Sequence, residues 1–124
     1  MERNTRQKAA VLAVLESATG PMSPPAILER ARNACPGIGI ATVYRVLKAL
    51  IEAGRVTLVD LSGDRRYELA REEHHHHFLC RVCGEAFEIT RCTSEVNKLA
   101  PRGFRVEAHE ITLHGICAPC VRRK

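Results

Sequence analysis

The sequence predicts an α+β chain in two parts: a winged-helix domain over residues 1–70 and a small α/β domain over residues 71–124 with a four-cysteine zinc site. Three observations carry this reading. Three amphipathic segments are followed by a basic hairpin. Cys80, Cys83, Cys92, Cys117 and Cys120 lie late in the chain, with only Cys35 early, and all the histidines (His74, His75, His76, His77, His109 and His114) are late too. Four of those cysteines form two Cys-x-x-Cys pairs.

In the first part, residues 5–18 read as a helix. Thr5 is the expected cap, Val11, Val14, Leu15 and Ala18 share one stripe, and Gly20-Pro21 is the stop. A second helix starts at Ser23 with Pro24 in its first turn, buries Ile27, Ala31, Ala34 and Cys35, and ends at Pro36-Gly37. Cys35 reads as a small core hydrophobe. A third helix runs over residues 41–53 to a stop at Gly54, with Val43, Val46, Leu47, Leu50 and Ile51 as its buried stripe. Thr42, Tyr44, Arg45 and Lys48 are left on another face. Residues 56–61 and 65–69 follow as strands about a Ser62-Gly63-Asp64 turn. Helix, helix, helix, hairpin is the winged-helix order. It places the third helix in a DNA major groove and Arg65 and Arg66, near the hairpin tip, on phosphate.

The second part opens on a charged connector, residues 70–77, and becomes β-like at Phe78-Leu79-Cys80 and Ala86-Phe87-Glu88-Ile89. Thr93 to Ala100 suits a short helix. Phe104, Val106 and Ala108 alternate as a strand does, and Ile111 and Leu113 alternate on the other parity, which places a break near His109 and Glu110.

The bulk properties narrow the class. A 45% hydrophobic and 27% charged composition is that of a globular protein, not a disordered one. No apolar run approaches the ~20 residues of a membrane helix, and the first 20 residues carry no secretory pattern, so the expectation is a cytoplasmic protein with no membrane partner. The net charge of +5 favours anionic partners without identifying one.

Cys80-x-x-Cys83 and Cys117-x-x-Cys120, 33 residues apart, offer four thiolates to one tetrahedral zinc and leave no position open to a substrate. A thioredoxin-like redox pair would need a βαβ unit, and none is visible. Cys92, like Cys35, is expected to be dispensable. In an extended segment the run His74-His75-His76-His77 points His74 and His76 one way and His75 and His77 the other, so one stretch can serve two metal sites. Glu68, Glu88, Glu95 and His109 are available as completing ligands. A zinc hydrolase is the competing class, but no H-E-x-x-H pattern is present and the cysteine site is closed.

Together, Ala41-Thr42-Val43-Tyr44-Arg45-Val46-Leu47, Tyr67-Glu68, His74-His75-His76-His77-Phe78-Leu79-Cys80-x-x-Cys83-Gly84, His109, Gly115 and Cys117-x-x-Cys120 resemble the ferric uptake regulator (Fur) family along nearly the whole chain. The resemblance implies a homodimeric, metal-dependent repressor whose winged helix binds an AT-rich palindrome in double-stranded DNA and whose C-terminal half dimerises. It implies that Tyr44 and Arg45 belong to the DNA-reading helix and that the four cysteines hold structural Zn2+. It assigns Glu68, His75, His77 and Glu88 to a regulatory site taking Fe2+, Zn2+, Mn2+ or Ni2+, and His74, His76, Glu95 and His109 to an additional metal site. An iron-based peroxide sensor is the alternative within the family. The chain departs from the family where many members carry a further histidine ligand before the second helix; Gly20-Pro21-Met22-Ser23 stands there instead.

Overall fold

The computed structural model describes residues 2–123, with side chains from residue 4 onward. The chain divides into two compact units, Met1–Glu72 and Glu73–Lys124.

The first unit comprises α1 (Glu2–Glu16), α2 (Pro24–Ala31), α3 (Ile40–Glu52), β1 (Val56–Leu61) and β2 (Asp64–Leu69). Thr5 lies inside α1 rather than at its cap: Glu and Arg ahead of it are strong helix formers and extend the helix backwards. Ser23 does cap α2, its Oγ accepting the Ala26 N–H at 3.4 Å. The helix ends at Ala31, ahead of Pro36, and residues 32–34 form turns instead. Gly54, at φ +75°, ends α3 in a conformation that costs other residues strain.

Ala10, Val11, Val14 and Leu15 of α1, Ile27 and Ala31 of α2, and Val43, Leu47 and Leu50 of α3 form one core with Ile38 and Val56. Each fully buried Leu, Ile or Val contributes about 1.5–3 kcal/mol. Ile51, expected in the stripe, is 37% exposed because it falls at the edge of the buried arc in the last turn of the helix.

β1 and β2 pair antiparallel from Val56↔Leu69 to Leu61↔Asp64. Only Ser62 (φ 56°) and Gly63 (φ 96°) therefore form the turn, and Asp64 belongs to the strand. Positive φ at both positions is the primed turn that matches the twist of a hairpin. Asp60 Oδ1 accepts the Gly63 N–H at 2.6 Å and holds the tip. Met22 and Tyr67 exchange two backbone hydrogen bonds of 2.9 Å, tying the start of α2 to the wing.

The second unit holds β3 (His76–Cys80), β4 (Ala86–Ile89), a 3-10 helix (Ser94–Leu99), β5 (Thr112–Gly115) and α4 (Ala118–Arg122). The sheet order is β4-β3-β5, with β3 antiparallel to β4 and parallel to β5. Thr93 caps the 3-10 helix through its Oγ1, which accepts the Glu95 N–H at 3.2 Å. The expected strand over residues 104–108 does not form. A strand needs a ladder partner, and none of the described strands pairs with this segment, so alternation alone was insufficient. The buried cluster here is Cys80, Cys117 and Cys120, packed by Phe78, Phe87 and Ile116. No helix among the described residues is long and apolar enough to cross a membrane.

Candidate metal centres and nucleic-acid interface

Burial of Val43, Leu47 and Leu50 fixes the rotation of α3 and turns its other face outward. Tyr44 is 50% exposed, Arg45 and Lys48 are exposed, and Thr42 is half-buried. Arg45 Nη2 lies 3.4 Å from Thr42 Oγ1, a long contact that leaves most of the guanidinium's donors available. On the wing, Arg65 is exposed. Arg66 is not the free phosphate donor that its place in the sequence suggested: its Nε and Nη2 donate to Asp64 Oδ1 and Oδ2 at 3.1 and 3.0 Å, and its side chain is only 13% exposed. Two residues apart on one strand, the two side chains share a face and pair bidentately.

The cysteine site follows from sheet topology. Cys80 ends β3, and Gly84 at φ +80° closes the turn that returns Cys83 beside it, its N–H donating to the Cys80 carbonyl at 3.0 Å. Parallel pairing of Cys80 with Gly115 brings in Cys117, the cap of α4, and the helix then delivers Cys120. All four thiols are free, and their sulfurs lie within 4.8 Å of one another. Cys83 Sγ and Cys117 Sγ are 3.8 Å apart, and a tetrahedron with Zn–S bonds of ~2.3 Å has an edge of about 3.8 Å. The residues therefore fit zinc. Burial alone would raise the Cys80 thiol, but backbone N–H donors from Cys117, Cys83 and Val82 outweigh it and hold the group at about 6. Hydrogen bonding with the Cys117 thiol, then burial, pushes Cys120 up to about 12. The fold thus already stabilises one thiolate, and a cation is what would make four compatible.

The histidine run divides as its alternation requires. The rings of His74 and His76 lie 4.4 Å apart, and those of His75 and His77 5.0 Å apart. His77 pairs with Glu88 across β3 and β4, which puts the two side chains on one face. His75 Nδ1 sits 3.1 Å from the Glu73 carbonyl. Glu68, on β2 of the first unit, pairs with Thr57.

On the other face, His74, His76 and His109 converge on Cys92, not on Glu95. His74 Nε2 is 3.1 Å from His109 Nε2, and Cys92 Sγ is 3.1 Å from His76 Nε2 and 3.2 Å from His109 Nε2. Glu95, expected as the fourth member, instead accepts a hydrogen bond from Lys98 Nζ at 3.2 Å and is 70% exposed. Residues i and i+3 eclipse in a 3-10 helix, which sets Lys98 beside it. Cys92, expected to be dispensable, stands within this cluster. Sequence reasoning had no periodicity to apply to a cysteine in an irregular loop; its only signal was proximity to a histidine-rich strand. Burial first, then the neighbouring His74, His109, His77 and His75, keeps the His76 imidazole below its usual range and so neutral.

A winged helix with a cationic outer face, joined in one chain to a unit with a closed four-cysteine site and clustered histidines, defines a metal-binding DNA-binding protein. The chain belongs to the ferric uptake regulator family, whose sequence profile matches residues 2–114. It is 32% identical to the ferric uptake regulation protein of Campylobacter jejuni over 97% of this chain and 80% of that one. Its fold matches FurB from M. tuberculosis, a zinc uptake regulator, with 33% identity, a TM-score of 0.52, and 96% and 95% of the two chains covered. It also matches the Helicobacter pylori ferric uptake regulator Fur, a structure that reveals three functional metal binding sites, with 26% identity, a TM-score of 0.68, and 93% and 79% coverage. The family consists of metal-responsive transcription regulators, not enzymes.

Proposed function

We propose that the chain is a metal-dependent repressor that binds an AT-rich palindromic operator as a homodimer and controls genes of metal uptake or homeostasis. The observation that carries this reading is the division of one histidine strand between two faces, each with its own metal-ligand chemistry. Cys80, Cys83, Cys117 and Cys120 hold structural zinc. His75, His77 and Glu88, with Glu68 from the end of the wing, form the regulatory set; this assignment rests on donor type and position along the chain. Bound there, a divalent ion supplies charge and a fixed coordination geometry. The ligands come from both sides of the Glu72/Glu73 boundary. Metal binding there shifts the dimer between a form that does not bind the operator and one that does. Moving that equilibrium from 1:99 to 99:1 takes about 5.5 kcal/mol of differential binding.

Imidazole and carboxylate donors accept Fe2+, Zn2+, Mn2+ or Ni2+, and the zinc uptake regulator among the similar structures favours Zn2+ as the first to test. The dimer is assigned to the second unit, where Leu99, Phe104 and Leu113 are 84%, 70% and 49% exposed. On DNA, Tyr44 and Arg45 read bases with Thr42 and Lys48 beside them. Arg65 contacts phosphate, and Arg66 does so only after leaving Asp64.

The test is DNA binding titrated with each metal on palindromic and scrambled duplexes. The wild type should prefer the palindrome and need metal. His75→Ala/His77→Ala should lose the metal response while still dimerising, and His74→Ala/His76→Ala should keep it. Equal affinity for both duplexes, or loss of response only in the second double mutant, contradicts the reading.

A further inference from the structure

We propose that Cys92 is itself a metal ligand, completing with His74, His76 and His109 a three-nitrogen, one-sulfur site that selects zinc and other thiolate-accepting divalent ions over Mn2+ and Mg2+. This deepens the reading above, which places metal-ligand chemistry on this face, and it replaces Glu95, the fourth ligand that the family resemblance implies.

The geometry is that of a nearly assembled tetrahedron. The four ligand atoms lie within 4.8 Å of one another, with three contacts of 3.1–3.2 Å. Zn–N bonds of ~2.0–2.1 Å and a Zn–S bond of ~2.3 Å require edges of about 3.3–3.6 Å, so a small outward adjustment admits the ion. His109 is already oriented for this. Its Nδ1–H donates to Asn97 Oδ1 at 3.0 Å, leaving the Nε2 lone pair directed at the cluster. His76 is held in the opposite tautomer: the Ile111 N–H donates to its Nδ1 at 3.3 Å, and its Nε2–H faces Cys92 Sγ. Metal binding therefore shifts the His76 proton to Nδ1 at the expense of the long Ile111 contact and releases the Cys92 proton to solvent. His74 and His109 border an open cleft of about 480 Å³ that Glu107 and Glu110 also line, a negatively charged approach for a cation. Glu95 is not among the converging groups. Replacing a carboxylate by a thiolate softens the donor set and moves its preference from Mn2+ and Mg2+ toward zinc.

The test uses full-length protein with zinc in the four-cysteine site, in the His75→Ala/His77→Ala background, so that one further site is read. Co2+ is added as the spectroscopic probe. The parent should take up one equivalent with a thiolate-to-cobalt charge-transfer band and the strong visible absorption of tetrahedral cobalt. Glu95→Gln should leave both unchanged. Cys92→Ser, an exposed position that tolerates the change, should abolish the charge-transfer band and weaken zinc binding by about tenfold or more. Asn97→Ala should keep the band and weaken binding by about 10-fold as an outer-shell change. Uptake without a charge-transfer band in the parent, or a band that survives Cys92→Ser, overturns the proposal, as does loss of binding in Glu95→Gln. None of these readouts involves DNA, so the repressor reading can fail while this one stands, and the reverse.

Discussion

The two units solve the same stability problem with different materials. The first packs eleven buried hydrophobic residues from three helices, a strand and the loop ahead of α3 against one another. The second, Glu73–Lys124, buries Cys80, Cys117 and Cys120 where an apolar core would be. A unit this short buries too little apolar surface to fold securely, and structural metal commonly supplies the remainder, about 10 kcal/mol or more in small zinc modules. The difference teaches how labour divides along the chain. The half that presents a rigid helix to DNA is held by hydrocarbon, which ignores metal supply. The half that gathers imidazoles and thiols centres on metal-ligand residues, and the proposed zinc would tie its order to metal.

The largest effect expected from this contrast is loss of zinc. Cys117→Ser should lower zinc content by one equivalent per chain and dissociate the dimer, while the helical far-UV signal of the first unit persists; plasma emission analysis with sedimentation checks it. Next is the hydrocarbon side. Leu47 is 1% exposed, so Leu47→Ala should cost about 2–5 kcal/mol in the denaturant unfolding of the first unit and leave bound zinc unchanged. A smaller effect is expected on the DNA face, where Arg45→Ala should weaken operator binding by about 1–3 kcal/mol and relax base preference at the position it reads. The smallest distinguishes the two wing arginines. Arg65→Ala should reduce the salt slope of binding by about 1, whereas Arg66→Ala should change it less, because Arg66 is already paired with Asp64.

Sequence made the first unit readable because its elements obey simple periods. Val43, Leu47 and Leu50 declare α3, Ser23-Pro24 declares the start of α2, and Ser62-Gly63 declares the hairpin. The misses lie where a local pattern competes with something unseen. Propensity carries α1 back past Thr5. A partner strand is needed before Phe104, Val106 and Ala108 can be β. The Cys-x-x-Cys pairs were legible because both ligands of each pair come from one turn, and the histidine alternation because β3 is a strand. The fourth member of the second cluster was not. Cys92 and His109 are separated by a 3-10 helix and an irregular segment, and only tertiary geometry brings them together at 3.2 Å. The pairing of Arg66 with Asp64 was not legible either, because charge counts on a hairpin do not show internal ion pairs.

The central claim, that metal holds and regulates one unit while the other stands on its own core, is tested most directly by amide hydrogen exchange resolved along the chain before and after zinc is removed with a strong chelator. The account predicts that β3, β4, β5 and α4 lose protection together while α1, α2 and α3 keep theirs. Uniform loss across both units, or unchanged protection of β3 and β5 after the zinc is gone, would contradict it.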